Sequence, residues 1–355
     1  MTHFSSQSKL KKHLPLWIGI FVSSIAMYWF FQGIDWNLLQ ITLSSISFFW
    51  VGCASLLLLL EFVLRAIRWK LILKPTHPHH IIPFRRVLIA TILGATANTL
   101  FPLRAGEILK PYIIKKEEDI PFTTLIATTV MERVYDIFGL VFVLISMLWL
   151  LNETALHNIH SDQENAILLF NLQKYGGFFG VFALCCMMIF FYLATRKEES
   201  RKIFMYFLKP TPLPIQNLFL KLFDGFVVGL GNSRDIKDVF ISCMLSILLW
   251  SNGVFAIYCL FQSFNFSLPL GAACFVAVAI ALTVALPQAP GFIGVFHVAM
   301  EKTIILWGEQ VVAAQGFAIV FWAVSFIPIT IVGVICIQYI GFKWSEVSIE
   351  EKNED

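Results

Sequence analysis

Long apolar runs separated by short polar segments fill the chain from Leu14 to Ile340. A transmembrane helix needs about 20 consecutive apolar residues. Runs close to this length or longer lie at roughly 14–31, 47–64, 122–151, 176–194, 239–262 and 311–340. The pattern therefore predicts an all-α integral membrane protein with about six full spans.

Two further apolar segments are interrupted by proline and glycine. The first, Val87–Leu100, is short and leads into a polar stretch, and the second covers 268–306. Because charged residues flank the first segment on both sides, we predict that it enters the membrane, turns and leaves on the same side. We expect two re-entrant hairpins whose backbone hinges are Pro102 and Gly106 in the first and Pro287, Pro290, Gly291 and Gly294 in the second.

The two interruptions have the same spacing. Each contains Pro-x-x-x-Gly, and 185 residues separate Pro102 from Pro287 and Gly106 from Gly291. A similar separation relates the flanking spans, which predicts an internal repeat with one half at about 47–151 and the other at about 239–340. Paired Pro/Gly breaks of this kind indicate a transporter-like binding site. The alternative is that the prolines only kink two packed helices.

The distribution of Lys and Arg predicts orientation, because cytoplasmic loops carry an excess of both residues. Lys and Arg cluster after the second and fourth spans and are absent from 152–173. This places the first hairpin's entry on the cytoplasmic side and the second hairpin's entry outside, as in an inverted repeat. We expect a cytoplasmic N-terminus at 1–13, one transmembrane domain at 14–340 and a charged cytoplasmic tail at 341–355. The expected location of the protein is the cell (inner) membrane.

Composition narrows the function classes. The chain is 58% hydrophobic and only 14% charged, too few charges to cover a soluble surface, and its net charge of +3 gives no basic face for nucleic acid. The segment of His77, His79 and His80 is interrupted by proline, with Pro78 between His77 and the other two, which favours a loop over a metal site. No nucleophile elbow, Walker motif, HExxH or dinucleotide loop stands in a plausible setting. We therefore expect no enzymatic activity, no cofactor and no metal.

The first half contains nearly all of the ionisable residues inside apolar segments. Such residues are unfavourable near the bilayer centre and usually line a cavity or pair with each other. We predict a lipid-headgroup site built from Arg104, Glu107, Glu132, Arg133 and Asp136. Arginine matches phosphate with two parallel donors, so Arg104 is the first choice for that contact.

A second rank of candidates is Glu61, Arg65, Asn98 and His297. For Glu61, Arg65 and the neighbouring Arg68, extension of the side chain to the cytoplasmic interface is the favoured alternative. For His297, which precedes Glu301 by one helical turn, the favoured alternative is a packed histidine.

The chain resembles the flippase-like, lysylphosphatidylglycerol synthase transmembrane-region family in four stretches: Arg65–Leu73 (RAIRWKLIL), Asn98–Glu107 (NTLFPLRAGE), Met131–Asp136 (MERVYD) and Leu286–Phe296 (LPQAPGFIGVF). The resemblance covers about 14–340 and implies a membrane region that moves phospholipid between leaflets. Longer members carry a soluble aminoacyl-transferring domain, and that synthase activity is not carried over to this chain. Where many relatives have an arginine in the last span, this chain has Gly316–Phe321.

Three functions remain open. The leading one is a flippase-like transporter that moves a phospholipid or a lipid-linked envelope precursor between leaflets. The alternatives are a non-transporting scaffold or accessory subunit of an envelope-lipid enzyme, and an intramembrane enzyme that acts on lipid. The expected partner is a membrane lipid, with no nucleic acid. The sequence leaves protein partners and oligomeric state open.

Overall fold

The computed structural model describes residues 21–150 without 22, 75–81 and 102–103, residues 236–340 without 286–288, and scattered residues between 181 and 220. The described residues after the N-terminal helical segment 23–32 form α-helices and one short 3₁₀ turn, Pro290–Phe292. The helices are α1 (Trp36–Ser44), α2 (Phe48–Leu73), α3 (Phe84–Leu100), α4 (Gly106–Glu117), α5 (Phe122–Leu150), α6 (Ile236–Ser263), α7 (Leu270–Ala285), α8 (Val295–Leu306) and α9 (Val311–Ile340).

The all-α prediction is confirmed, and α2, α5, α6 and α9 are long and apolar enough to cross a membrane. They coincide with four of the six predicted spans, and the segment 23–32 is helical inside a fifth. Several predictions concern positions that lie outside the described residues: the two termini at 1–13 and 341–355, the loop 152–173, the span 176–194 apart from Val181, the three loop histidines, and the hinge residues Pro102 and Pro287.

The internal repeat is visible in the order and length of the helices. Helices α2 to α5 contain 26, 17, 12 and 29 residues, and α6 to α9 contain 28, 16, 12 and 30. Each helix of the second half begins 186–189 residues after its counterpart, close to the 185 read from the proline and glycine positions. Each half is therefore a long helix, two short helices and another long helix.

Helices α2 and α6 run antiparallel along their whole length, so the first elements of the two halves point in opposite directions. Four hydrogen bonds between them fix this register, from one end to the other: Ser47 N to Ser263 O at 2.9 Å, Asn252 Nδ2 to Leu57 O at 2.7 Å, Arg68 Nη1 to Ser246 Oγ at 2.7 Å, and Lys74 Nζ to Asp238 Oδ2 at 2.8 Å. We call the two ends of this pair the Ser47 end and the Lys74 end.

The hairpins enter the bundle from opposite ends. At the Lys74 end, the start of α3 and the end of α4 are joined by the pair between Arg86 and Glu117, at 2.7 Å, and Leu73 shares a hydrophobic cluster with Val87. The second hairpin begins at Leu270, just after α6 ends at the Ser47 end. A separate hydrophobic cluster surrounds this hairpin and takes in Phe30 from the N-terminal helical segment. The predicted inverted repeat is thus present in the fold.

The second hairpin turns at two of the glycines that were named as hinge candidates. Gly291 and Gly294 have φ values of 72° and 92°, a region that side chains with a Cβ rarely adopt. Pro290 begins the 3₁₀ turn, which contains Gly291, and Gly294 directly precedes α8. The turn is fixed from outside, because Trp322 Nε1 donates to the Gly291 carbonyl at 2.7 Å and Ala289 N donates to Ser23 Oγ at 3.0 Å.

Candidate functional site

A cavity of about 280 Å³ lies between the two halves, where the tips of the hairpins meet. The first half provides its charged wall, which consists of Glu61, Arg65, Arg104, Glu107, Lys110, Glu132 and Arg133. The second half provides a mainly apolar wall, which consists of Val284, Phe292, Ser325, Phe326 and Ile329. The cavity therefore has one charged wall and one mainly apolar wall.

The tip of the first hairpin owes its shape to close backbone packing. A Cβ on Gly106 would lie 1.8 Å from the Gly94 carbonyl oxygen, so only glycine lets α3 and α4 approach this closely. The Asn98 side chain accepts a hydrogen bond from Gly106 N at 2.8 Å and so caps the start of α4. Arg104 is left-handed, with φ 55°, and its side chain crosses to the other half.

Asp136 on α5 is the centre of a buried ionic network. Its carboxylate accepts from Arg68 Nη2 at 2.6 Å and from Arg133 Nη1 at 2.9 Å, and Arg65 Nη1 lies at 3.5 Å. The Arg68 side chain is 0% exposed and also donates to Ser246 of the second half. A charge buried to this degree is tolerated only when it is paired and hydrogen-bonded.

Lys110 and Glu132 form a second buried pair, between α4 of the hairpin and α5. Lys110 Nζ donates to Glu132 Oε2, and both residues are less than a tenth exposed. The ammonium also lies 4.0 Å from the centre of the Trp69 ring, a cation–π contact. Trp69 is itself held by its hydrogen bond to Thr128 Oγ1 at 3.0 Å.

Two outer pairs complete the network where it faces the cavity. Arg65 Nη2 contacts Glu61 Oε1 at 2.7 Å, and Arg133 Nη2 contacts Glu107 Oε1 at 2.8 Å. These side chains retain between 20% and 48% exposure, so they are the accessible part of the network. An entering polar group would meet them before it met the buried pairs.

The network leaves one cation unmatched by a carboxylate. Four carboxylates, Glu61, Glu107, Glu132 and Asp136, pair with Arg65, Arg68, Lys110 and Arg133. Arg104 is exposed and donates to the backbone carbonyl of Val284, and among the described residues no carboxylate pairs with it. Its charge is thus available to an anion in the cavity.

The structure brings most of the predicted site residues together. Of the five leading candidates, Arg104, Glu107, Glu132 and Arg133 line the cavity, and Asp136 lies directly behind them. Of the second rank, Glu61, Arg65 and Asn98 also line it. Their assignment to a lipid headgroup remains a prediction.

His297 does not belong to the cavity lining. It is 4% exposed, and the nearest rings are Phe30 at 5.2 Å, Trp322 at 5.7 Å and Phe296 at 6.0 Å between ring centres. The structure thus favours the packed-histidine interpretation over a site role.

Sequence reasoning missed Arg68 and Lys110. The expectation that Arg68 extends to the interface is wrong, because its partners Asp136 and Ser246 hold it inside the bundle. Lys110 follows Glu107 by three residues, so the helical spacing places both on one face of α4. That spacing could have identified Lys110 from the sequence. No such local spacing was available for Arg68, because its partner Ser246 is 178 residues away in sequence.

Comparison with known proteins shows the family of the chain. The family model described as the lysylphosphatidylglycerol synthase transmembrane region matches residues 16–333. The chain belongs to this family. The match covers nearly all of the first predicted span, both hairpins and most of α9, so the inverted repeat lies within the matched region except for the end of α9.

A more limited similarity links the chain to glycosyltransferase AglD of Haloferax volcanii. The two are 30% identical over 87 residues, which is 24% of this chain and 14% of the relative. The chain therefore matches only a small part of that protein's length.

Among the described residues, no group of three or more His, Cys, Asp or Glu side chains is placed to hold a metal ion.

Proposed function

We propose that this family member moves a phospholipid or a lipid-linked envelope precursor between the leaflets of the cell membrane. The observation that carries the proposal is the charged cavity at the meeting point of two re-entrant hairpins in an inverted repeat. In transporters with inverted repeats, the substrate site lies at the interface of the repeats, and one repeat rocks against the other around it. We further propose that it acts without covalent chemistry and that both termini are cytoplasmic.

The two walls of the cavity fit the two parts of a lipid. Arg104 offers a guanidinium without a carboxylate partner to a phosphate group. The outer pairs Arg65–Glu61 and Arg133–Glu107 add donors and acceptors for the remainder of a polar headgroup. Phe292, Phe326 and Ile329 on the opposite wall match the start of the acyl or polyprenyl chains.

The decisive experiment is reconstitution into vesicles with a fluorescent phospholipid on one leaflet and a reagent that quenches only the outer leaflet. We expect wild-type protein to bring the inner-leaflet lipid to the outer leaflet, where the reagent quenches its fluorescence. The double variant Arg104→Ala with Glu132→Ala should lose this activity. Lys74→Ala is the control, because Lys74 is 64% exposed at the Lys74 end and does not line the cavity. Equal rates in wild type and in the cavity variant would sink the assignment.

One observation favours a second candidate, a scaffold or accessory subunit of an envelope-lipid enzyme. Four of the five cations around the cavity are already paired with carboxylates, as in a network whose role is structural. Co-purification with such an enzyme, together with lipid movement no faster than in empty vesicles, would support this candidate instead.

A further inference from the structure

We propose that Glu132 is a proton-binding site that couples lipid binding to proton uptake, through exchange of its partner Lys110. This inference rests on the proposed function, because it requires a lipid phosphate in the cavity. It goes beyond that function by naming a second transported or bound species, the proton.

The pair joins the first hairpin to a long spanning helix. Lys110 lies on α4, the returning arm of the first hairpin, whereas Glu132 lies on the long helix α5. Both line the cavity, behind the more exposed pairs Arg65–Glu61 and Arg133–Glu107. Rocking of the hairpin or entry of an anion would therefore draw Lys110 away from Glu132.

Separation of this pair creates a charge problem that a proton solves. Glu132 is 2% exposed, and removing one partner of a buried ion pair is strongly destabilising, because the other charge remains without compensation. A carboxylate in that position instead binds a proton and becomes neutral. Lys110 keeps its own proton, and its ammonium can then pair with the lipid phosphate.

The step is balanced in charge and atoms. One hydronium ion in the cavity transfers a proton to a Glu132 carboxylate oxygen, which becomes a carboxylic acid, and a water molecule remains. The Lys110 ammonium keeps its charge and exchanges Glu132 for the lipid phosphate as its ion-pair partner. Binding of one monoanionic lipid is then accompanied by uptake of one proton, and the cavity's net charge does not change.

The other charged groups around the pair are held by partners of their own. Helix α4 contributes Glu107, which pairs with Arg133 of α5. Helix α2 contributes Arg65, paired with Glu61, and Arg68, paired with Asp136 of α5. Arg104 of the hairpin tip bonds to a backbone carbonyl. A movement of α4 would separate the Glu107–Arg133 pair as well, but the Glu107 side chain is 26% exposed and water can hydrate it. Glu132 is buried and has Lys110 as its ion-pair partner among the described residues, so it is the carboxylate for which loss of the partner is most unfavourable.

Calorimetric titration can count the protons directly. The probe is dihexanoyl phosphatidylglycerol, whose phosphodiester does not titrate near neutral pH, added to the detergent-solubilised full chain in two buffers with different ionisation enthalpies. We expect uptake of about one proton per lipid bound by wild type and a loss of that uptake in Glu132→Gln. Glu301→Gln, which removes a buried carboxyl outside the cavity, should take up protons as wild type does.

The outcomes of this titration separate the two proposals. Lipid binding without proton uptake, or the same uptake in Glu132→Gln as in wild type, overturns the coupling and leaves the transport proposal standing. Failure of wild type to bind the probe overturns phospholipid as the substrate of the cavity, and the coupling with it.

A second measurement needs no ligand. In Lys110→Met the carboxylate has lost its partner permanently, so we expect an infrared C=O stretching band of a protonated carboxyl at neutral pH. The band should be absent from wild type and from Lys110→Met combined with Glu132→Gln. A spectrum of Lys110→Met without this band would overturn the proposal.

Discussion

Arg104 at the tip of the first hairpin donates a hydrogen bond to the backbone carbonyl of Val284, near the end of α7. The contact joins two elements that enter the bundle from opposite ends. The last carbonyls of a helix lack intrahelical partners and carry partial negative charge, so they attract a cation. A lipid phosphate that takes over this guanidinium would thereby release one hairpin tip from the other.

We expect Arg104→Lys to retain part of the transport activity and Arg104→Gly to lose most of it. Lysine keeps the charge without the planar fork, whereas glycine accepts the left-handed backbone at φ 55° but removes the side chain. A charge-assisted hydrogen bond contributes about 1.5–3 kcal/mol, which corresponds to roughly a ten- to hundredfold effect. Initial rates in the vesicle assay measure both variants, and a fully active Arg104→Gly would exclude a headgroup contact by Arg104.

Gly106→Ala should destabilise the protein by about 1–3 kcal/mol, because its Cβ would overlap the Gly94 carbonyl and force α3 and α4 apart. The matched control is Gly52→Ala on α2, where an added Cβ meets nothing within 4 Å. Alanine favours helix over glycine, so the control should be neutral or slightly more stable. Thermal unfolding in detergent compares the two, and equal midpoints would contradict the close approach of the hairpin arms.

Arg68→Met should be among the most destabilising single substitutions in the described part of the chain, with a loss of about 3–5 kcal/mol. The substitution removes a fully buried guanidinium and leaves one oxygen of Asp136 without its donor. Lys74→Met removes a cation from the exposed pair with Asp238, which contributes about 0–1 kcal/mol. Denaturant titrations measure the free energy of unfolding of both variants. Similar losses in the two would be inconsistent with a buried network around Arg68.

Trp322→Phe should loosen the second hairpin, because it removes the donor to the Gly291 carbonyl while an aromatic ring remains beside His297 and Phe326. An unsatisfied buried carbonyl costs about 1–3 kcal/mol. Trp149→Phe serves as the comparison, since Trp149 is 78% exposed on α5. Amide hydrogen exchange at 289–295 should accelerate in Trp322→Phe alone, and unchanged exchange there would show that the bond does not hold the turn.

The sequence was sufficient to predict the four long apolar helices of the repeat, the two hairpins between them and their inverted arrangement. Membrane helices have a narrow length range, and proline and glycine interrupt them where the backbone turns. The matching positions of Gly106 and Gly291 were therefore informative without any structure. The charged residues that line the cavity could also be predicted, with the exception of Lys110, since an intramembrane charge needs partners wherever it occurs.

The depth of each cation could not be predicted in the same way. Arg68 and Lys70 are two residues apart at the end of one apolar run, and yet Arg68 is fully buried and Lys70 is not. The difference arises from α6, which presents Ser246 to Arg68 from a distant part of the sequence. Likewise, the sequence does not show that the positive φ of this turn lies at Arg104 and not at Gly106, or that the Arg104 side chain reaches Val284 in the other half.

The antiparallel contact of α2 with α6 has a consequence for how the molecule can move. Its hydrogen bonds tie the two helices at four heights, from Ser47 to Lys74, and a shift by a single residue would break the Asn252 and Arg68 bonds together. Sliding of one half past the other is therefore disfavoured, whereas a small rotation about this shared axis preserves the register. We expect the α2–α6 pair to remain stationary in the bilayer as a spine. The shorter hairpin helices would then tilt against it and open the cavity to one leaflet at a time.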